Sequence, residues 1–490
     1  MISRRHFGLM TAAAAGALAA PVVLRATRAA AQGRARNVIL MISDGAGFHT
    51  WTAASFYRHG ALGREVYDAF PVRTLMTTYP LNTARAPTRN MAPKVSYEAA
   101  KAWSTAPGKG DLGGEITKKT YANHFAGYEY VKRDYVDSAA AGTALSAGVK
   151  TYNNAINWSN DDKPLRNLGQ MVKSAGKALG VVSSVQVSHA TPAAFYANNV
   201  SRNNYAAIGL QLVEEALCDV IMGAGHPLFD RNGRYAAPTA DKAFQYVGGP
   251  NAYVKLTTGQ TAYHLIENKA DFEKLAAGRL EMRKDKLYGL AQVANTLQYQ
   301  RGLGSGYSSD DAPMGGFIET VPSLETMTKG ALAFLGSKPA GFFLMVEGGA
   351  VDWAAHANHT GRLIEEQIDF NRSVEAAVAW IEANGGFGNT LLIVTTDHGN
   401  GIAYGPESDV FAFQPVVNRG KGNLPGVRWH YDTHTNELVP VWANGPGADQ
   451  LVKLSAGEDM HTGLVGWGSV SRYHDNTDVA RVIAAVLGAR

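Results

Sequence analysis

Four short apolar runs, each ending on a carboxylate or an imidazole, constrain this chain more than any other feature of its 490 residues. Asn37–Ser43 stops at Asp44-Gly45-Ala46-Gly47, and 179–187 runs into His189-Ala190-Thr191-Pro192. Further on, 342–346 ends in Glu347-Gly348-Gly349, and 391–394 ends in Thr395-Thr396-Asp397-His398-Gly399. Continuous aliphatic and β-branched runs closed by glycine read as strands buried on both faces. Helical spacing separates them at 205–217, 323–335 and 362–383 and returns at 477–487. This alternation predicts an α/β fold, a doubly wound, mostly parallel central sheet with helices on both faces. Ligands in such sheets bind beyond the carboxyl ends of the strands, so the polar residues closing these runs stand where a site belongs.

The remaining stretches are less periodic. Residues 71–135, 226–286 and 401–432 read as surface insertions, the last as a loop at the rim of the site. Val220, Ile221 and Met222 form another short strand, and Pro192 opens a helix over 192–199. The run 438–442 is a late strand, placed near an edge because Pro440 cannot donate to a ladder. Cys218, with no second cysteine to pair with, is a small core residue.

The first residues form a separate unit. Arg4-Arg5 precedes an alanine-rich apolar run, and Ala29-Ala30-Ala31 ends it, which is the layout of a twin-arginine export signal over 1–31, followed by a single large unit over 32–490. The run contains Pro21 and is too weakly apolar for a membrane anchor, so the expected destination is periplasmic or secreted. The formal charge of +4 is carried by this leader, through Arg4, Arg5, Arg25 and Arg28. Without it the chain is electrically balanced and gives no signal for binding nucleic acid.

Chemistry concentrates at Asp137-Ser138-Ala139-Ala140-Ala141-Gly142-Thr143. A serine before small helix-favouring residues marks a helix N-terminus, where free N–H groups and the positive end of the dipole receive anions and a hydroxyl can act as nucleophile. An ordinary serine cap on an alanine-rich helix has the same local look. Asp352 and His356 stand four residues apart and so share one helix face. With Glu347, Asp397, His398 and His434 they make a carboxylate and imidazole set without thiolate, the donor set of catalytic rather than structural zinc.

On these residues the chain resembles the alkaline phosphatases. The matching pieces are 38–45, 137–144 with Lys150-Thr151-Tyr152-Asn153-Asn154, 189–202, 342–356, 395–399 and 433–435, in family order across nearly the whole chain after the leader. The resemblance implies Ser138 as the nucleophile, forming a covalent phosphoserine, and Arg202 as the phosphate clamp. It implies two Zn2+, one on Asp352, His356 and His434 and one on Asp44, Asp397 and His398, and one Mg2+ on Asp44, Thr191 and Glu347. It also implies small-molecule phosphate monoesters as substrates and a homodimer. His189 stands where some members carry an acidic residue near magnesium, and Trp353 where some carry lysine. The magnesium position is therefore expected to admit Zn2+ or Co2+.

His461 is a rival for His434, which is preferred because a strand and Asn444-Gly445-Pro446 follow it as in the family. A phosphodiesterase of the same superfamily, often with a threonine nucleophile, is one alternative. An exported metal-binding or phosphate-binding protein without turnover is another. Neither Ser138 nor Cys218 has the sequence setting of a sulfatase.

Overall fold

The computed structural model describes residues 33–113, 120–302, 316–468 and 470–489. The proposed leader lies outside the described residues. Eleven strands form one sheet. In chain order they are β1 (Asn37–Ser43), β2 (Val72–Thr77), β3 (Ala178–Gln186), β4 (Val220–Ala224), β5 (Tyr263–Ile266) and β6 (Lys286–Leu290), then β7 (Phe342–Gly348), β8 (Thr390–Thr395), β9 (Val439–Asn444), β10 (Gly457–Glu458) and β11 (Arg472–Asp475). Their order across the sheet is β10-β11-β2-β9-β8-β1-β7-β3-β4-β6-β5. Pairing is parallel from β8 to β5, and the antiparallel pairs are confined to the other side, where β9 runs against both β8 and β2 and β10 against β11.

Period two along β1 builds two cores. Ile39 and Met41 join one apolar cluster, while Val38, Leu40 and Ile42 join the other. Helices α1 (Phe48–His59), α2 (Ser138–Ala147), α3 (Ala190–Ala193), α4 (Tyr205–Glu215), α5 (Leu324–Gly336), α6 (Ala350–His356), α7 (Thr360–Ala383) and α8 (Thr477–Leu487) divide between the two faces. Trp51 of α1, Met327 of α5 and Phe370 of α7 pack on the first cluster. Leu145 of α2, Leu212 of α4 and Val482 of α8 pack on the second, which is the doubly wound arrangement.

Several expectations change. Residues 71–135 do not form only a surface excursion, because β2 is an interior strand between β11 and β9. Strand β9 is interior as well, despite Pro440. The ladder between β9 and β8 spans Trp442 to Asn444, and Pro440 precedes it. In extended backbone a residue's nitrogen and carbonyl point to the same side, and the Pro440 carbonyl accepts from the Thr395 hydroxyl at 2.9 Å. The missing N–H thus faces β8 where no ladder bond would form, and nothing is lost. The stretch 226–286 supplies the outermost strand β5 together with a helix, Lys269–Ala276, that packs on α5. Pro192 lies within a short α3 that ends at Ala193 rather than opening a longer helix.

Candidate active site

Four strand ends converge at one edge of the sheet. Asp44 follows β1, Glu347 is the second-last residue of β7, His189 and Thr191 follow β3, and Asp397 and His398 follow β8. The adjacent registers β8-β1-β7-β3 bring these residues together. Gly45 has φ +69°, and a Cβ there would stand 2.7 Å from Asp352 Oδ1, so glycine is what lets the turn after β1 close against α6.

Helix α2 carries Ser138 as its first residue, but its cap is Asp137. Asp137 Oδ1 accepts from the Ala140 N–H at 3.1 Å and the Asn154 N–H at 2.9 Å, and its Oδ2 pairs with Arg202 Nη1 at 3.0 Å. One carboxylate therefore caps the helix and aims the guanidinium, leaving the Ser138 hydroxyl unspent on capping. The helix comes close to α3 because position 142 is glycine, where a Cβ would meet that of Ala194 at 2.9 Å. Ser138 Oγ stands 3.2 Å from His398 Nε2.

The three histidines are oriented alike. Nδ1 lies 2.7 Å from the Asp432 carbonyl in His356, 2.7 Å from the Val136 carbonyl in His434 and 3.3 Å from the Gly399 carbonyl in His398. Carbonyl oxygens only accept, so each Nδ1 carries a proton and each ring turns its Nε2 into the cluster. The Nε2 atoms face carboxylate oxygens and one another. His356 Nε2 is 3.4 Å from Asp352 Oδ2, His434 Nε2 is 3.3 Å from Asp352 Oδ1, and the two Nε2 atoms are 3.2 Å apart. Tetrahedral zinc bonds of about 2.0 Å give ligand separations of about 3.3 Å, so this spacing suits a cation at the centre. A two-residue ladder, Gly399–Asn400 on His434–Thr435, creates the arrangement and stacks the His398 and His434 rings 3.7 Å apart. Asn400 Nδ2 donates to Asp352 Oδ1 at 2.7 Å and fixes that carboxylate.

A second group gathers Asp44, Asp397 and His398. Asp397 Oδ1 accepts from the N–H groups of Gly45 (3.1 Å) and His398 (2.9 Å), whereas its Oδ2 is buried without a hydrogen-bond partner. Asp44 Oδ1 and Glu347 Oε1 are also buried without one. The Thr191 hydroxyl reaches Asp44 Oδ2 at 3.4 Å, and the Ser183 hydroxyl donates to Glu347 Oε2. Asp44, Thr191 and Glu347 thus form a third cluster sharing Asp44 with the second.

Electrostatics agree with a cation-binding site. Burial, then the charges of Asp397, Asp352 and Glu347, raise the Asp44 pKa well above the carboxylate range. Burial with the neighbouring Asp352 lifts Asp397 to about 6, and burial lifts Glu347 to about 7 against hydrogen bonds from Ser183 and Thr191. For Asp352 burial also raises the pKa, but His356 and His434 overcome it and hold the group well below its ordinary value. Carboxylates this close resist joint ionisation without positive charge among them, and divalent ions bound to these oxygens and Nε2 atoms would provide it.

The site opens to solvent through a pocket of about 510 Å3 lined by Ser138, Arg202, His356 and His434 and flanked by Tyr299, Gln300, Trp353 and Ala357. His189 lies on the Arg202 side, Nε2 3.5 Å from Nη2, with its ring edge-on to Trp353 at 5.7 Å. Burial and then the Arg202 charge lower its pKa to about 3, so it is neutral. His461 is elsewhere, paired with Asp459 at 2.9 Å and stacked on Trp103. The stretch 401–432 reaches the histidine–carboxylate cluster through the Asp432 carbonyl under His356, and residues 299–300 line the pocket as well. Sequence reasoning missed Asn400, Tyr299 and Gln300. Asn400 directly follows the Asp397-His398-Gly399 turn and was findable from it, whereas 299–300 carries no motif.

The sequence matches the family described as alkaline phosphatase over residues 109–424. It is 34% identical to alkaline phosphatase 4 of Bacillus subtilis (strain 168) over 72% of this chain and 76% of that one. It is 30% identical to alkaline phosphatase H of Pseudomonas aeruginosa (strain UCBPP-PA14) over 87% and 84%. The fold resembles that of alkaline phosphatase from the Antarctic bacterium TAB5, with a TM-score of 0.60 and 23% identity over 93% of this chain and 99% of that one. A histidine-to-aspartate variant of the TAB5 enzyme has been solved with Mg bound in its M3 site.

Proposed function

The chain belongs to the alkaline phosphatase family, and we propose that it hydrolyses phosphate monoesters in two displacements through Ser138. The observation that carries this reading is the meeting of Ser138 and the Arg202 guanidinium in one pocket, with Ser138 Oγ against the buried His398 imidazole and beside buried carboxylates that each keep one oxygen without a hydrogen-bond partner.

Ser138 Oγ bonds to phosphorus as the ester oxygen leaves; water then attacks phosphorus, the Oγ–P bond breaks and inorganic phosphate departs. The start of α2 favours the anionic phosphoryl group, and Asp137 steers Arg202 so that its fork spans two phosphoryl oxygens. In this reading Asp352, His356 and His434 hold one zinc, Asp44, Asp397 and His398 the other, and Asp44, Thr191 and Glu347 a magnesium. Bound there, the ions supply Lewis-acid stabilisation of the attacking and leaving oxygens. His189 brings a neutral imidazole where a carboxylate would add charge, so the magnesium position also admits zinc or cobalt. Mg in the M3 site of the TAB5 variant is consistent with a third divalent ion in enzymes of this fold.

Export by the twin-arginine route to the periplasm or medium, and assembly as a homodimer, belong to the same proposal. Among the described residues no helix is long and apolar enough to cross a membrane.

Release of p-nitrophenol from its phosphate monoester and from the bis-ester, before and after chelation, tests the reading. The monoester is expected to turn over faster by orders of magnitude, with activity lost on chelation and restored by zinc. Faster cleavage of the bis-ester, or full activity after metal removal, would replace it with another reaction.

Arg202→Lys is expected to weaken inhibition by inorganic phosphate about tenfold, or about 1.4 kcal/mol, because a point charge replaces the fork that Asp137 aims. An unchanged inhibition constant would take Arg202 out of phosphate binding.

A further inference from the structure

We infer that Gln300 is a specificity-determining residue that hydrogen-bonds the leaving group, and that the site favours phosphate esters of hydroxyl-bearing rings, the sugar phosphates, an inference that rests on the phosphomonoesterase reading. The pocket is lined by both charged and uncharged residues. Among the described residues lining it, Arg202 is its one lysine or arginine and sits with Ser138 on the phosphoryl side. The uncharged side chains among the described lining residues other than Ser138 and the histidines are Tyr299, Gln300, Trp353 and Ala357. Among these described residues a leaving-group ring meets two aromatic side chains and one amide, and a charged group finds no oppositely charged partner.

Gln300 is held in place before substrate arrives. Its Oε1 accepts from Asn295 Nδ2 at 2.8 Å, and Asn295 Oδ1 accepts from Gln186 Nε2 at 3.1 Å, at the end of β3. The Gln300 N–H donates to Thr296 Oγ1 at 3.1 Å, and the Leu297 N–H donates to the Ser184 carbonyl at 3.0 Å. Just beyond, Arg301 binds both oxygens of the buried Glu365, at 2.5 and 2.7 Å. With Oε1 engaged, Nε2 is the part of the amide left to donate, and it makes no hydrogen bond to a described residue. A donor fixed at the rim loses little entropy when a sugar hydroxyl accepts from it, and the aromatic residues Tyr299 and Trp353 line the same pocket.

The test compares kcat/KM for glucose 6-phosphate and phenyl phosphate in the wild type, Gln300→Ala and the near-isosteric Gln300→Met. Both variants are expected to lower the ratio of glucose 6-phosphate to phenyl phosphate about threefold to tenfold, the worth of one hydrogen bond, mainly through KM. Inhibition by inorganic phosphate, which has no leaving group, should stay unchanged in both. An unchanged ratio alongside normal phenyl phosphate turnover would overturn the assignment of Gln300 while leaving the phosphomonoesterase reading intact. Absence of turnover of both esters by the metal-loaded wild type would instead remove that reading.

Discussion

Ser138→Ala is expected to lower turnover of phosphate monoesters by at least three orders of magnitude, about 4 kcal/mol or more of transition-state stabilisation, while metal content stays at the wild-type level. The two effects separate because Ser138 approaches the histidine–carboxylate cluster through a single contact, Oγ to His398 Nε2 at 3.2 Å, whereas the carboxylates and the other imidazoles are oriented by bonds that do not involve it. The helix should also survive, since its cap is Asp137 and alanine suits the first turn. Acid quenching during turnover of a labelled ester should trap phosphoprotein from the wild type and none from the variant. Label retained by the alanine protein would move the nucleophile elsewhere.

His434→Ala is expected to remove one metal ion per chain and to lower activity by at least a hundredfold, with His461→Ala matching the wild type in both. His434 Nε2 stands 3.3 Å from Asp352 Oδ1 and 3.2 Å from His356 Nε2, so its loss leaves that donor group one ligand short. His461 is half exposed and bonded to Asp459, outside any donor group. Metal counting on the purified proteins decides the matter, and loss of metal from the His461 variant alone would reverse the ligand assignment. A variant at Asn400, which only orients Asp352, should by contrast keep the ion and bind it less tightly.

What the sequence determined by itself is the part of the site encoded in local pattern. An apolar run followed by a polar stop gives both a strand and the place where it ends, and a parallel sheet collects such ends on one edge. Asp44, Glu347, Asp397 and His398 were legible for this reason, and Asp352 with His356 because a spacing of four puts them on one helical face. Tertiary structure alone decided whatever depends on pairing between distant segments. The sequence preferred His434 to His461 from the segment that follows it, but the position of His434 beside His398 comes from a ladder of two residues against Gly399–Asn400, too short to leave a periodic trace. The interior places of β2 and β9 depend on strand order, and Pro440 is harmless there only because its nitrogen faces a gap in the ladder. Asp137 rather than Ser138 caps α2 because Arg202 and Asn154 arrive from later in the chain to share its carboxylate. Gln300 reaches the pocket through hydrogen bonds to residues as far away as Gln186. Periodicity records which face of an element is buried, whereas the partner that covers it is selected only when the whole chain packs.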